Sequence, residues 1–387
     1  MSESFFSPCP RGLEAMLAEE LATLGASAIE PTHGGVGFAA DWPTCYRINL
    51  ESRLATRVMW RLVRGRYQGE EDIYRLAYGV TWAKWFTPED TIRVNVTAQH
   101  SPLKSLEFVT LRIKDAVCDH FRTVTGRRPS VDTANPAVRI HAFLTRDSVT
   151  LYLDTSGEPL YKRGFKHAAV EAPLKENLAA GILRMTGWTP GEPLIDPMCG
   201  SGTFLIEAAH MALDIAPGLG RDFAFERFRH VDEAAWTRVR QAAEARRQPP
   251  RPLPMYGSDI VGDQVRRTRV NLQAAGVSAC VTLERADLLT RLAPADHGVM
   301  VCNPPYGVRI GEAEGLAELY PQLGDALKQR WSGWRCFFLS ADPALPKLIR
   351  LNASRRTPLF NGALECRLFE YRMVAGSLRR RPPEPAG

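Results

Sequence analysis

Two short stretches of the chain concentrate residue types that can bind and position a small reactive molecule. The first is Ile195 to Phe204, IDPMCGSGTF. An apolar run ends in a carboxylate, a glycine-rich turn follows, and a helical pattern starts at about Thr203. Gly200 and Gly202 let the backbone approach a ligand closely, and the first amides of a helix are unpaired donors of positive dipole character. Neither GxGxxG nor GK[ST] is present, and Asp196 directly before the turn would repel a pyrophosphate. That carboxylate suits a ligand with an ammonium group beside a carboxylate, the amino-acid end of S-adenosylmethionine. A tight turn with a solvated Asp is the plainer reading of this motif by itself. Its candidate binding residues are Asp196, Cys199, Gly200, Ser201, Gly202 and Thr203.

Two later acids strengthen the binding reading. SDI places Asp259 at the tip of the next apolar run, where a carboxylate can accept both hydroxyls of a ribose. RAD places Asp287 at the tip of a third, where an adenine amino group could donate to it. Either acid alone would be read as a helix N-cap. Acids at three successive strand ends point to one nucleoside-bearing ligand.

The second stretch is Asn303 to Gly307, NPPYG, after the apolar run VMVC. Consecutive prolines hold the chain extended and leave carbonyls without adjacent N–H groups. An exocyclic amine on a nucleobase is a poor nucleophile because its lone pair is delocalised into the ring. The Asn303 side-chain oxygen and the Pro304 carbonyl can accept its two N–H groups and turn the lone pair toward an electrophilic methyl. Pro305 holds the turn, and Tyr306 can stack on a base drawn out of its helix. The plainer reading is a rigid loop closing a strand.

These sites need strands that end in loops on one edge of a sheet. PLID (193–196), MYGSDI (255–260), VTLERAD (281–287), GVMVCNPPY (298–306) and CFFLS (336–340) alternate with helical patterns, which predicts a mostly parallel, doubly wound sheet with ligands at its carboxyl ends. Residues 217–254 interrupt the alternation as an inserted amphipathic helix and a Pro/Arg-rich return, expected on the surface. The front of the chain reads as mixed α/β: a helical pattern over Gly12–Leu24, a long amphipathic helix within 104–128, and alternating runs at 91–97, 138–145 and 148–155. Trp82, Trp85 and Phe86 in VTWAKWF read as core anchors rather than base-stacking platforms.

The three motifs together resemble class I S-adenosylmethionine-dependent methyltransferases of the amino-group type. SPCPRGLEAMLAEEL near the start, LYKRGFKHAAVEAPLKENLAAGIL (160–183) and PLFNGALECRLFEY (358–371) resemble, more narrowly, the bacterial THUMP-containing 23S ribosomal RNA guanine-N2 methyltransferases, nearly end to end. The resemblance implies a Rossmann-like catalytic domain at 177–376, preceded by a ferredoxin-like segment at 1–45, a THUMP RNA-binding domain at 46–155 and a connector at 156–176, with a disordered tail at 377–387. It implies S-adenosylmethionine as cofactor, with Asp196, Cys199, Gly200 and Gly202 at its methionine portion, Asp259 at the ribose, Asp287 at the adenine, and Asn303 to Tyr306 holding the target guanine. Some members of that family carry a second methyltransferase domain that makes 7-methylguanine; the motifs here predict a single activity.

Composition is compatible with this. The 387 residues carry a net charge of +6, with ordinary globular usage of apolar and charged residues, which excludes a wholly disordered, collagen-like or coiled-coil chain. No apolar run is long enough to cross a bilayer, so a cytoplasmic monomer is expected. The eight cysteines are scattered, with no CxxC pair, so neither disulfides nor a metal is expected. Positive charge is concentrated: residues 47–66 hold six Arg against one Glu, and 328–381 hold twelve Lys and Arg against three acids. Arg53, Arg57, Arg61, Arg64, Arg127 and Arg128 are the candidate RNA contacts, although a solvated face is the commoner role of such runs. Three alternatives stay open: a transfer-RNA guanine-N2 methyltransferase, a DNA adenine-N6 methyltransferase, and a non-catalytic RNA-binding assembly factor.

Overall fold

A computed structural model describes residues 2–165, 174–304 and 312–374. The chain forms two compact units that interleave along the sequence: Met1–Gly164 with Asp214–Arg247, and Phe165–Leu213 with Gln248–Gly387.

The first unit runs β1 (Glu3–Pro8), α1 (Glu14–Thr23), β2 (Ser27–Thr32), β3 (Gly35–Ala40), α2 (Trp42–Glu51), β4 (Met59–Arg66), α3 (Glu70–Tyr78), β5 (Ile92–Ala98), α4 (Leu106–Thr125), β6 (Val138–Leu144) and β7 (Ser148–Asp154). Its sheet has the order β2-β3-β1-β4-β7-β6-β5, and β5 and β6 pair parallel. The helical spacing at the start is real: Leu13, Leu17 and Leu21 are buried along one face of α1. Ser105 caps α4 by accepting from the Phe108 amide at 3.1 Å. Strand β6 alternates as predicted, with Val138, Ile140, Ala142 and Leu144 inward. Strand β7 departs from alternation and is buried at all but one position. It lies inside the sheet, between β4 and β6.

The inserted segment is not a surface appendage. Phe225 stacks on Tyr46 of α2 with ring centroids 4.5 Å apart, and Trp236 meets Phe225 edge-on at 5.1 Å. The Gly218 amide donates to Leu50 O at 2.9 Å. Arg221 donates to the carbonyls of Pro159 (2.8 Å), Ser156 (3.2 Å) and Glu158 (2.6 Å). Burial lowers its guanidinium to about 10. By their contacts, residues 214–247 group with the first unit. An amphipathic pattern shows that one face is buried, not what buries it.

In the second unit, α5 (Glu176–Met185) leads to β8 (Leu194–Asp196) and α6 (Thr203–Ala212); α7 (Glu233–Arg246) is the inserted helix of the first unit. There follow β9 (Met255–Asp259), α8 (Gly262–Ala274), β10 (Val281–Arg285), β11 (Gly298–Cys302), α9 (Glu312–Arg330), β12 (Trp334–Ser340), α10 (Leu345–Ile349), β13 (Arg355–Asn361) and β14 (Leu364–Arg372). The sheet order is β10-β9-β8-β11-β12-β14-β13. The strands from β10 to β12 are parallel, and β14 and β13 add an antiparallel hairpin at one edge. This is the predicted doubly wound α/β sheet. Strand β11, GVMVC, is wholly buried, as a central parallel strand must be. Trp331, Trp334, Phe338, Phe369 and Tyr371 anchor the core beside it. All eight cysteines are free and buried. Among the described residues no helix is long and apolar enough to cross a membrane.

Candidate functional site

The sheet reverses its direction of growth at β8, with β9 and β10 on one side and β11 and β12 on the other. Crevices at such switch points, beyond the carboxyl ends of the strands, are where doubly wound folds bind ligands. Asp196 is the last residue of β8 and Asp259 the last of β9. Asn303 directly follows β11, and Asp287 comes two residues after β10. The order β10-β9-β8-β11 therefore sets Asp287, Asp259, Asp196 and Asn303 in a row along one edge of the sheet.

Asp196 is 3% exposed and takes one hydrogen bond, from the Met198 amide at 3.3 Å. Burial raises its carboxyl to about 8, with the Asp259 carboxylate adding to the shift. Among the described residues no Lys, Arg or His is paired with it. A buried carboxylate without a counter-cation is a place for a ligand's ammonium group. Asp259 is also buried and accepts from the Gly200 amide (3.2 Å) and the Val261 amide (2.9 Å). Asp287 is half-buried and accepts from the Leu289 amide at 2.9 Å, so it organises its own turn beyond the strand.

The glycine turn is held in shape from outside. Gly200 and Gly202 sit at φ +52° and +79°, in the left-handed region that side-chain-bearing residues avoid. A Cβ on Gly202 would lie 2.8 Å from Thr268 Cγ2. Thr268 donates to Gly200 O at 2.8 Å, and Asn271 donates to Ser201 O at 2.9 Å. The Cys199 amide donates to Ser258 O at 2.9 Å, tying the turn to β9. Ser201 and Thr203 hydroxyls lie 3.2 Å apart at the start of α6. Thr268 and Asn271 were not singled out from sequence. Their signal was two polar residues three apart on an otherwise core-facing stripe of α8, and both are buried.

Of the second motif, Asn303 is half-buried and Pro304 buried, while Pro305 and Tyr306 lie outside the described residues. Cys199 and Cys302 flank the strand tips. Burial pushes both thiols above the ordinary range, with Asp196 and Asp259 adding to it at Cys302. Neither is a thiolate at neutral pH.

The matches to known families cover both units. Residues 163–370 match the methyltransferase domain described as RMKL-like. A Synechocystis protein described as an RNA methyltransferase is 39% identical over 370 residues, covering 95% of this chain and 96% of its own. The chain belongs to the RMKL-like methyltransferase family. The first unit of this RMKL-like methyltransferase carries two further matches, a THUMP domain at 67–154 and an RlmL ferredoxin-like domain at 4–59. Ribosomal RNA large subunit methyltransferase K/L of Shewanella baltica is 39% identical over 385 residues, covering 98% of this chain and 54% of its own. The chain thus spans about half the length of those K/L relatives.

Two solved structures are similar throughout. SMU.472, described as a methyltransferase complexed with SAH, has a TM-score of 0.86 at 29% identity and covers 97% of this chain. That coverage is 99% of SMU.472 itself. A predicted N6-adenine-specific DNA methylase from Listeria monocytogenes has a TM-score of 0.86 at 28% identity, covering 96% of this chain and 97% of its own.

The six candidate RNA contacts do not form one set in the RMKL-like methyltransferase. Arg57 is turned inward, its guanidinium bound by the buried Asp154 carboxylate and the Gly157 carbonyl. Arg53 donates to Ile215 O at 2.6 Å. Both guanidiniums thus serve groups within the first unit: buried carbonyls and a buried acid need donors, and an arginine run is a ready source of them. Arg61, Arg64, Arg127 and Arg128 are exposed. Arg61 donates to Ser4 Oγ at 2.8 Å, and Arg127 pairs with Glu89 at 2.6 Å.

Proposed function

We propose that this methyltransferase transfers a methyl group to the exocyclic N2 of a guanine in 23S ribosomal RNA. The observation that carries the reading is the row of strand tips, with three acids ending at Asp196 and Asn303-Pro304 on the adjacent strand. S-adenosylmethionine, when bound, supplies a methyl group made electrophilic by a positively charged sulfur. Asp196 receives the ammonium of its amino-acid end, the glycine turn fits closely around that end, Asp259 meets the ribose and Asp287 the adenine. Asn303 Oδ1 and the Pro304 carbonyl accept the N–H groups of the target amine and aim its lone pair. With the donor already activated, the chain contributes positioning and exclusion of water.

The RNA substrate is supported by the THUMP match and by the naming of the K/L relatives. A single activity on the large subunit in the cytoplasm, by a monomer, completes the reading. The similarity to the Listeria N6-adenine-specific DNA methylase keeps adenine in DNA as the second reading.

Tritium-methyl transfer to bulk RNA from cells lacking the gene, resolved by size and by nucleoside, tests the reading. Label should appear as N2-methylguanine in large-subunit RNA, and Asn303→Ala should lose at least about 100-fold in turnover with SAM affinity unchanged. Label in transfer RNA, label as methyladenine, or wild-type turnover by Asn303→Ala would overturn it.

A further inference from the structure

A cleft of about 450 Å³ opens in the first unit, between β4, the C-terminal end of α3 and the short turn Trp82–Lys84. Its walls include Trp60, Leu62, Val63, Arg75, Lys84 and Trp85. That volume falls within the range of about 300–1,000 Å³ that takes a small molecule. Strand β4 carries a bulge between Arg61 and Val63, which changes the side-chain alternation there and helps form the apolar wall. The cleft straddles the junction of the two front matches, since Trp60 to Val63 fall between residues 59 and 67.

Trp82 and Phe86 are fully buried, as core anchors should be, but Trp85 is part-exposed on the cleft. Its indole is braced by Trp60, edge to face at 4.2 Å, and the Trp60 Nε1 donates to Glu3 at 3.3 Å. The turn beneath it is tied down by Arg229, whose amide donates to Trp85 O at 2.9 Å and whose guanidinium donates to Ala83 O at 3.0 Å. The aromatic surface is therefore fixed before any ligand arrives. Lys84 Nζ lies 5.0 Å from the Trp85 ring centroid. Arg75 is 71% exposed and only loosely paired, at 3.7 Å from Glu71 and 3.8 Å from Asp72. No acid lines the cleft.

A braced indole with Lys84 beside its ring and the exposed Arg75 on the same cleft wall, in a cleft of nucleotide size, fits a flat heterocycle carrying an anionic group. We propose that this cleft captures one unpaired nucleotide of the substrate RNA, its base stacked on Trp85 and its phosphate met by Lys84 and Arg75. The proposal rests on the RNA reading above and adds a second grip on the substrate, separate from the target base. Stacking of this kind tolerates any base, so the cleft selects for an unpaired nucleotide rather than for sequence.

The test is fluorescence anisotropy of the full chain with a short labelled single-stranded oligoribonucleotide, against a blunt RNA duplex of the same sequence. Trp85→Leu keeps apolar bulk and removes the aromatic face. It should weaken single-strand binding about tenfold, leaving duplex binding and SAM affinity unchanged and the protein folded at the assay temperature. Trp85→Phe should recover most of the loss. Arg75→Ala with Lys84→Ala should reduce the log–log salt slope of single-strand binding by about 1. If the wild type labels RNA in the transfer assay but Trp85→Leu binds the single strand undiminished, the cleft proposal fails and the catalytic reading stands. If the wild type binds neither RNA form, both fall.

Discussion

Asp196 shows how one residue can be bad for the fold and good for the site. It ends a three-residue strand in the middle of the sheet, is almost wholly buried, and has Asp259 as its charged neighbour. In the unfolded chain its carboxyl titrates near about 4, whereas in the fold it titrates at about 8. Between those values the native state holds a proton that the unfolded state has lost. Its contribution to stability is therefore intact below about 4 and is lost progressively as pH rises toward about 8. Asp196→Asn removes the penalty. Without cofactor, this variant should melt at a higher temperature than wild type, with a larger gain at pH 8 than at pH 6, worth at least about 1 kcal/mol at pH 8. Calorimetric SAM binding should be lost in the same variant. Equal gains at both pH values, or none, would show that burial does not set this group's titration. Asp196, Asp259 and Asn303 were legible in the sequence because strand ends advertise them. Thr268 and Asn271 were not, because polar residues on a helix carry no mark of the loop they support.

At the scale of elements, helix α8 is the buttress of the glycine turn. Thr268 both donates to the Gly200 carbonyl and closes the space beside Gly202. Gly202→Ala meets two obstacles, a left-handed backbone at φ +79° and a contact of 2.8 Å with Thr268 Cγ2. It should lower unfolding free energy by about 2 kcal/mol or more. Thr268→Ser removes the obstructing methyl and keeps the hydroxyl, so the double variant should be more stable than the sum of the two single losses predicts. Denaturant unfolding of all four proteins gives the coupling, and strict additivity would rule out the steric half of the account. The alternation of strands and helices made this sheet legible from sequence. The partner of the inserted segment was not legible, because its anchors Phe225 and Trp236 sit in a stretch rich in Arg, Glu and Pro, and periodicity names a buried face without naming its neighbour. The exposure of Trp85 was not legible for a related reason: in VTWAKWF three aromatic residues share one local pattern, and only the tertiary fold separates the two that are fully buried from the one that also lines a cleft.

For the whole molecule, net charge is a poor guide to RNA contact until the inward-facing arginines are set aside. Arg53, Arg57, Arg163 and Arg221 all direct guanidinium hydrogens to backbone carbonyls of the first unit. Arg57 also neutralises the buried Asp154. These charges hold loops together and release no counterions when RNA binds. Arg64 and Arg128 are exposed and have no ion pair among the described residues, so they are free to meet phosphates. RNA affinity should fall steeply with salt, by about 0.7 to 0.9 in log–log slope for each phosphate neutralised. Arg64→Gln with Arg128→Gln should therefore flatten the slope by about 1 to 2 and leave the melting temperature in place. Arg57→Gln should do the reverse, lowering unfolding free energy by about 1 to 3 kcal/mol as the buried Asp154 loses one partner and keeps His141 and the Ser156 and Gly157 amides, while the slope stays as in wild type. Filter binding across a salt series, paired with thermal melts of each variant, separates the two classes of arginine. A flat wild-type salt dependence, or a slope that responds to Arg57→Gln as much as to the double variant, would mean that position in the fold does not sort these charges.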